Sequence, residues 1–585
     1  MSSNKNYRYI FISTCLLIFL VQYYLFKSYV LREVSWAYPT WADQAQYLAS
    51  AYRVYNTMLN SSFLDALISE FLRPKPNGSL IEIEGAVSFV LGGPTRLSAL
   101  SINFIHLIFM QFVTIITFYK LTKSPLISLI CIGILMSISA IYIMPGAMYD
   151  YRIDFMSFCL YATLILIFLH TDFLSSRKWS IIWGAFCALC IVTRHNTVVY
   201  IIGIWIALSF YVGFNFFSSF DTRKIYKKKA LCLIFSVIAC FVLLFPFALV
   251  SYKSFWLYYI HQAQVRGPIR LQGEPIFNFI DFLLYYPKQV LCEKMGMTSV
   301  LLLIGIMLLC VIAVSISKKR QFSKKNVVER IQYNNFKNNI FFIGVTIFVP
   351  LVVLTVNPAK SSVVGGILAF PVAIMIFYIL SHVYCYYLAV WPGYLYRIIF
   401  VFVACFTIAV GTIYSFANSC KKSPQSIYKS DTNSLMDYYQ TFYKLCVNLN
   451  LYNPTVICDY LVDRLEPVIL TVTAYENLQI YIHPRQIART EQILAVNKDA
   501  LLSAAEKTDF LVLTESDHKG KLYYPYNKLM HEVQHELFAI SKEHHMQVGC
   551  WTSYGEKVKL FVNKKYSQKI CERGLAGVAL RSERL

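Results

Sequence analysis

Residues 298–317 read TSVLLLIGIMLLCVIAVSIS, a stretch with no charged side chain. At about 1.5 Å of rise per residue, a helix of this length spans roughly 30 Å, which is the thickness of a bilayer's hydrocarbon core. The whole chain has the same character: 57% of its 585 residues are apolar, 15% are charged, and the mean hydropathy is +0.50. Soluble domains carry about a quarter charged residues. The composition therefore excludes a soluble enzyme and a disordered chain, and predicts a polytopic α-helical membrane protein.

Stretches of similar length and composition recur along the chain up to residue 417. Each is long enough to cross the hydrocarbon core as a helix, which predicts about 11 transmembrane helices. Their approximate limits are Tyr9–Tyr29, Leu97–Tyr119, Pro125–Met144, Ile153–His170, Trp179–Val192, Val198–Phe216, Ala230–Ser251, Thr298–Ser317, Ile340–Val356, Val363–Cys385 and Arg397–Ala417.

The positive charges indicate an orientation for these helices. The chain carries 54 Lys and Arg against 32 Asp and Glu, a net charge of +22. The basic residues concentrate in alternate short loops, and such loops are retained in the cytoplasm. We therefore interpret the charge as topology and expect no nucleic-acid partner. The N-terminus is predicted to be cytoplasmic, with an uncleaved first helix, in a multi-pass protein of the cell or inner membrane.

Three segments on the predicted outer side are longer than connectors need to be, and long loops often carry function. They are the loops 31–96 and 252–297 and the tail after Ala417. We therefore divide the chain into a transmembrane domain (1–417) and an extracytoplasmic α/β domain (418–585). In the tail the patterns predict strands at Thr455–Tyr460 and Phe510–Thr514, a helix over Asn527–Lys542 and a hairpin within Gln547–Asn563.

The first outer loop begins with Tyr38-Pro-Thr-Trp-Ala-Asp-Gln, in which a proline turn leads into a helical pattern with Asp43 near its start. A carboxylate there can simply cap the helix. Trp41 and Tyr47 suit a helix at the membrane interface, where Asp43 could instead take part in chemistry.

This segment resembles the GT-C superfamily of integral-membrane glycosyltransferases, which use polyprenyl-phosphate-linked sugars. The protein O-mannosyltransferases and the lipid A aminoarabinose transferases are the most similar in pattern. Members have a proline, an acidic pair and a tyrosine here, and their first Asp is the proposed catalytic base or a carboxylate that orients the acceptor. Asp43 matches that Asp, whereas Gln44 stands where the second acidic residue usually lies. The resemblance implies a GT-C-like fold and a lipid-phosphate sugar as donor substrate.

Further along the same loop, Arg73-Pro-Lys-Pro and Phe89-Val-Leu-Gly-Gly-Pro-Thr-Arg resemble the family's Lys-Pro segment and its approach to the second span. Lys75 is then a candidate for binding the lipid phosphate, or alternatively a solvated lysine in a proline-rich turn. Glu82 and Glu84 would share one face of an extended stretch. They are candidate ligands for a divalent cation, although a solvated strand edge would explain them equally well.

Charged residues also gather at the start of the fourth span, where they are costly unless solvated or paired. Asp150 and Asp154 are four residues apart and are predicted to share one helical face, without Arg152. Both could merely favour a helix N-terminus. The family resemblance assigns Asp154 to the active site, and Asp150 is a third weak metal candidate.

The second outer loop contains His261, Arg266 and Arg270, followed by Tyr285. Arginine offers paired donors to a phosphate, and similar residues in the family's corresponding loop hold the lipid donor. Tyrosine and arginine are also ordinary interfacial anchors. Arg194 and His195, in the turn between the fifth and sixth spans, are weaker candidates for lining the same pocket.

One motif in the tail points elsewhere. His531-Glu-Val-Gln-His535 matches the zinc-protease pattern of two histidines one helical turn apart with a glutamate between them. The charged Glu536 follows the second histidine, and the neighbouring apolar residues form a core-facing stripe. We therefore interpret the two histidines as solvated.

The leading hypothesis is an inverting membrane glycosyltransferase that moves a sugar from polyprenyl phosphate to a glycan, lipid or protein acceptor on the outer face. Asp43 would act as the base and Lys75, Arg266 and Arg270 would stabilise the leaving phosphate. The alternatives are a transporter or flippase of a lipid-linked or small polar substrate, and a membrane-anchored sensor or hydrolase that works through its tail. Deleting the tail should separate the last alternative from the first.

Overall fold

A computed structural model describes residues 2–40, 42–75, 77–218, 223–257, 278–318, 327–357, 361–388, 395–458, 465–487, 497–515 and 525–572. The chain packs as two compact units that share its length in an interleaved way. Unit 1 contains residues 1–28, 69–81 and 100–421, and unit 2 contains residues 29–68, 82–99 and 422–585. The division of the chain at residue 417 stays a prediction.

The described chain contains long apolar helices, as the sequence predicted. Among the described residues, eight helices are long and apolar enough to cross a membrane, and Pro125–Met136 and Ile153–Leu169 are shorter apolar helices. In chain order the helices are α1 Ser2–Tyr29, α2 Ala42–Asn60, α3 Phe63–Phe71, α4 Leu80–Gly92, α5 Arg96–Thr122, α6 Pro125–Met136, α7 Ile153–Leu169, α8 Arg177–Thr193, α9 Thr197–Ser218, α10 Arg223–Phe255, α11 Phe279–Gln289, α12 Met297–Lys318, α13 Val327–Val356, α14 Gly366–Val383, α15 Leu395–Ser419, α16 Pro424–Ile427, α17 Lys429–Asn448, α18 Val468–Leu478, α19 Lys498–Lys507, α20 Pro525–Glu532, α21 Gln534–His544 and α22 Ser567–Glu572.

The predicted third span is wrong at its end, because α6 stops at Met136 rather than at Met144. Both the backbone N–H and the hydroxyl of Ser137 donate to the carbonyl of Ile134, which tightens and ends the helix. A short 3-10 turn at Ser139–Ile141 follows. The residues from Ser137 to Arg152 therefore form an irregular segment. At membrane depth, such non-helical backbone is tolerated only where it is buried in protein.

Unit 2 contains a five-stranded sheet in the order β2-β1-β3-β5-β4. The first three strands in this order are parallel and the last two are antiparallel to their neighbours. This confirms the α/β character predicted for the tail. The strands are β1 Thr455–Cys458, β2 Arg485–Gln486, β3 Phe510–Glu515, β4 His545–Ser553 and β5 Glu556–Asn563.

The hairpin in the tail is confirmed, with its turn at Tyr554 and Gly555. Both residues have a positive φ, of 53° and 76°, as the type I′ turn of a two-residue hairpin loop requires. The single helix predicted over Asn527–Lys542 is wrong, because Val533 interrupts it with φ −99° and ψ 10°. His531 and His535 therefore lie on the two consecutive helices α20 and α21.

Candidate functional site

The centre of the candidate site is Asp154, in the first turn of α7. Its side chain is 2% exposed and forms ion pairs with two arginines. Arg152 places its Nε 3.2 Å from Oδ2, and Arg194 contacts Oδ1 from the turn between α8 and α9. A buried carboxylate is costly unless it is paired and hydrogen-bonded. The fold therefore holds this charge between two guanidinium groups from separate segments.

Asp150 lies before α7, so the prediction that it shares a helical face with Asp154 is wrong, because the helix begins only at Ile153. It is fully buried, and its Oδ2 accepts the backbone N–H of Gly146 at 2.8 Å. Arg152 lies between the two carboxylates, 4.0 Å from Asp150. A side chain on Gly146 would collide with Val363, and φ there is +84°. Only glycine fits this turn, which brings both carboxylates to one end of the helix bundle.

Lys294 is a third cation at this end of the bundle, and sequence reasoning missed it. Its side chain is 2% exposed, with Nζ 3.5 Å from the carbonyl oxygen of Pro145. Burial lowers the pKa of Lys294 and Arg152 lowers it further, whereas Glu293 and Asp150 oppose the shift. The only signal in the sequence is a lone lysine directly before an uncharged span. Among the described residues, Arg152, Arg194 and Lys294 thus gather with the carboxylates of Asp150, Asp154 and Glu293, and the formal charges balance. The three cations are the groups of this cluster that suit an anionic ligand.

Tyr286, next to the predicted Tyr285, is a buried tyrosine on which the charge of Arg194 acts. Its hydroxyl accepts the backbone N–H of Ser361 at 3.3 Å. Burial raises the pKa of Tyr286 to about 12, and the positive charge of Arg194 opposes this rise. Burial raises the pKa of the half-buried Tyr285 as well. Helix α11 therefore adds a neutral hydroxyl near Arg194.

His195 is buried and packs its ring against two aromatic side chains of α10. The ring centroids lie 5.0 Å from Phe247 and 5.6 Å from Phe255. His195 thus fixes the turn that carries Arg194.

Lys75 forms an ion pair with Glu70, which the sequence reasoning did not single out. Both side chains are largely buried, and Arg73 lies 4.0 Å from the same carboxylate. The loop that holds Lys75 contacts the end of α8 so closely that a Cβ on Gly78 would overlap the carbonyl of Val192. Lys75 therefore lies in a segment that packs next to the turn with Arg194.

Asp43 lies in unit 2, in the first turn of α2 as predicted, and its side chain is exposed. Gln44 is buried, and its Oε1 accepts the backbone N–H of Thr40 at 3.0 Å. The residue that replaces the family's second acidic group therefore holds the turn in front of Asp43. A carboxylate at this position could accept the same bond.

Glu82 and Glu84 lie on α4, so the interpretation that they share one face of an extended stretch is wrong. The buried Ile81, Ala86 and Phe89 recur at helical spacing, and residues two apart on a helix point in different directions. Within the described ranges no group of three or more His, Cys, Asp or Glu could hold a metal ion. His261, Arg266 and Arg270 lie outside the described residues.

No protein-family model matches this sequence, and no curated protein matches it either. Solved structures do match its fold. The crystal structure of ArnT from Cupriavidus metallidurans in the apo state aligns over 96% of this chain and 98% of that chain, with a TM-score of 0.55 and 8% identity. ArnT from the same organism bound to undecaprenyl phosphate aligns over 95% and 98%, with a TM-score of 0.53 and 10% identity. The chain therefore shares its fold with ArnT over nearly the whole length of both chains.

Proposed function

We propose that this protein is an integral-membrane glycosyltransferase that transfers a sugar from a polyprenyl-phosphate donor to an acceptor glycan, lipid or protein. The observation that carries the proposal is the buried cluster around Asp154, Arg152, Arg194 and Lys294, at one end of a GT-C bundle. Ionisable groups buried in a membrane protein are expensive and mark functional sites.

The three cations of this cluster suit the phosphate of the donor. Arginine pairs with phosphate oxygens through two parallel donors, and lysine supplies a mobile point charge. Lys75, His261, Arg266 and Arg270 are proposed as further donor contacts, and Arg194, His195 and Tyr285 as the wall of the pocket. ArnT was crystallised with undecaprenyl phosphate, which supports this class of donor.

The proposed reaction is a single inverting displacement. The acceptor oxygen forms a bond to the anomeric carbon as the bond from that carbon to the phosphate oxygen breaks, through an oxocarbenium-like transition state. The electron pair stays on the departing lipid phosphate, where nearby cations stabilise the charge. The proton of the acceptor hydroxyl passes to the carboxylate of Asp43. Glu82, Glu84 and Asp150 remain the candidates if a divalent cation takes part.

The proposed orientation places the Asp154 end of the bundle outside the cytoplasm. Lys120, Arg177 and Lys229 lie at the opposite end, as the positive-inside rule requires of a cytoplasmic end. The sheet domain of unit 2 is then proposed to be extracytoplasmic.

The test is native mass spectrometry of the protein in mild detergent with a host lipid extract that contains acceptor. We expect wild type to carry a polyprenyl-phosphate sugar and to convert it to bare polyprenyl phosphate, and Asp43→Asn to retain the sugar. Asp65→Asn is the matched control, since Asp65 is an exposed aspartate near the start of the neighbouring helix α3. The same assay with a chelator reports whether a divalent cation is needed.

If neither wild type nor Asp43→Asn binds such a lipid, or both bind it without turnover, the transferase proposal is contradicted and a transporter of lipid-linked substrates gains support. Deleting the tail does not separate these functions as the sequence alone suggested. Residues of the tail contact the segment that carries Asp43, so the deletion also removes support from the proposed base.

A further inference from the structure

A largely buried ion pair in unit 2 joins the tail to the first outer loop. Glu476, on α18, receives hydrogen bonds from Arg96 and Tyr52. The Nη2 of Arg96 donates to Oε2 at 3.1 Å, its Nε donates to Oε1, and the Tyr52 hydroxyl donates to Oε1 at 2.8 Å. The side chains of Arg96 and Glu476 are 2% and 18% exposed. A bidentate pair of this kind fixes orientation as well as distance.

The ring of Tyr52 is held as firmly as its hydroxyl. It stacks on Phe89 of α4 and on Tyr475 of α18, with centroid distances of 4.8 Å to each and interplanar angles of 14° and 24°. Tyr55 packs edge-on against the same two rings. The tail therefore grips one face of α2 through an aromatic stack and a charged group.

Asp43 lies on the other face of that helix. It is nine residues before Tyr52, which at about 100° per residue places the two on opposite sides of α2. Tyr52 is fully buried and Asp43 is exposed. Contacts to the tail fix the face of Tyr52, and the exposed Asp43 lies on the opposite face.

The segment that enters α2 is tied to the tail as well. The backbone N–H of Ser423 donates to Glu33 at 2.8 Å, and the hydroxyls of Tyr38 and Tyr554 lie 3.2 Å apart. Gln425 donates to the hydroxyl of Thr40. Residues from three separate parts of the tail thus hold the chain on both sides of Asp43.

We infer that Glu476 is a positioning residue, which sets the location and orientation of Asp43 through Tyr52 and Arg96. This inference rests on the proposed function, in which Asp43 accepts the acceptor's proton. Under it, the tail is needed for turnover because it supports the base, whatever else it binds. Glu476 itself need not touch substrate.

The test compares Glu476→Gln with a control in the same unit. Asp509→Asn is matched, because Asp509 is also buried and accepts bonds from Thr455, Tyr566 and Lys565, all within the sheet domain. Hydrogen–deuterium exchange of peptides covering residues 42–52 reports the order of α2, and donor turnover in the assay above reports function. The melting temperature of each variant reports general destabilisation.

We expect Glu476→Gln to raise exchange over residues 42–52 and to lower kcat on the order of tenfold to a hundredfold, as small misplacements of a reacting group do. The KM for the lipid donor should stay within about twofold, since ground-state donor binding is not altered. Asp509→Asn should raise exchange in the sheet and leave residues 42–52 and kcat at wild-type values. Arg96→Met combined with Glu476→Met should restore the melting temperature by removing both buried charges, without restoring kcat.

The inference is overturned if Glu476→Gln leaves exchange over residues 42–52 unchanged. It is also overturned if Asp509→Asn lowers kcat as much at an equal loss of melting temperature. If wild type does not turn over a polyprenyl-phosphate donor, the proposed function fails, while the exchange data still decide whether Glu476 orders α2. The two failures are therefore distinguishable.

Discussion

The two ends of the helix bundle in unit 1 hold their positive charges in different ways. At the Asp154 end, arginines are buried against carboxylates. At the other end, called here the Lys229 end, cations lie over aromatic rings. Lys229 is 4.8 Å from the ring centre of Phe173, and Arg177 is 4.1 Å from that of Phe235.

This difference indicates that the Lys229 end anchors the helices, whereas the Asp154 end takes part in chemistry. A cation over an aromatic face is stabilised by about 0.5–2 kcal/mol, so it can fix a helix end at modest cost. A buried ion pair is often no more stable than an apolar replacement, and its presence is weak evidence for a role in stability. We therefore expect changes at the Asp154 end to affect turnover and changes at the Lys229 end to affect stability alone.

The largest effect is expected from thiol labelling, which tests the orientation of the two ends. Cys292 is exposed beside Lys294, and Cys385 is exposed beside the carbonyl of Leu121 at the Lys229 end. With Cys405, Cys420 and Cys571 changed to serine, a membrane-impermeant maleimide added to intact spheroplasts should label Cys292 and leave Cys385 unmodified. Permeabilised membranes, in which both should react, are the control. Labelling of Cys385 alone would reverse the proposed orientation.

The next effect concerns the buried carboxylate. Asp154→Asn keeps the shape of the side chain but leaves two guanidinium groups without their counter-charge, and we expect donor turnover to fall by about 10²-fold to 10³-fold. Asp172→Asn is the matched control at the Lys229 end, where φ of 52° suits asparagine as well as aspartate. Equal losses in both variants would contradict the division between the two ends.

A third measurement separates stability from function at the Asp154 end. Arg194→Met leaves Asp154 with one partner and should lower the free energy of unfolding by about 3–5 kcal/mol, as for other broken buried pairs. Arg194→Met combined with Asp154→Leu should recover most of that loss, because no buried charge then remains unpaired. Turnover should stay absent in the double variant. Thermal unfolding in detergent and the lipid assay measure the two quantities, and recovered turnover would speak against any catalytic use of the pair.

The smallest effect is a pH dependence at the Lys229 end. His170 accepts from Lys120, with 3.2 Å between its Nδ1 and the lysine Nζ, and its Nε2 lies 3.0 Å from the hydroxyl of Thr117. Burial and then the charge of Lys120 lower the pKa of His170 from 6.5 to about 4. The unfolded chain therefore binds the proton more readily, and stability should fall as pH drops from about 6.5 towards 4. The melting temperature should follow this slope in wild type and lose part of it in His170→Gln; an unchanged slope would assign it to other groups.

The sequence predicted long apolar helices, and eight of the described helices are long and apolar enough to cross a membrane, against about 11 expected. It placed Asp43 at a helix start and found the strands of the tail. It could not predict that Arg194 meets Asp154, since their pairing depends on how α8 and the α8–α9 turn pack against α7. It also missed Lys294, because the burial of this lysine depends on how the segment before α12 packs. Local sequence patterns indicate the periodicity of a helix or strand. Ion pairs between distant segments depend on tertiary packing, which a local pattern does not contain.

Each of the two units contains segments from both early and late parts of the chain. Unit 2 therefore cannot complete its fold until the end of the chain has been synthesised. Residues 29–68 and 82–99 belong to the same unit as residues 422–585. At about 5–20 residues per second, the first outer loop leaves the ribosome on the order of half a minute before its partner sheet. During that interval Tyr52 and Arg96 have no Glu476 to bind. During biogenesis the first loop is therefore exposed to chaperones and proteases until the tail has been synthesised.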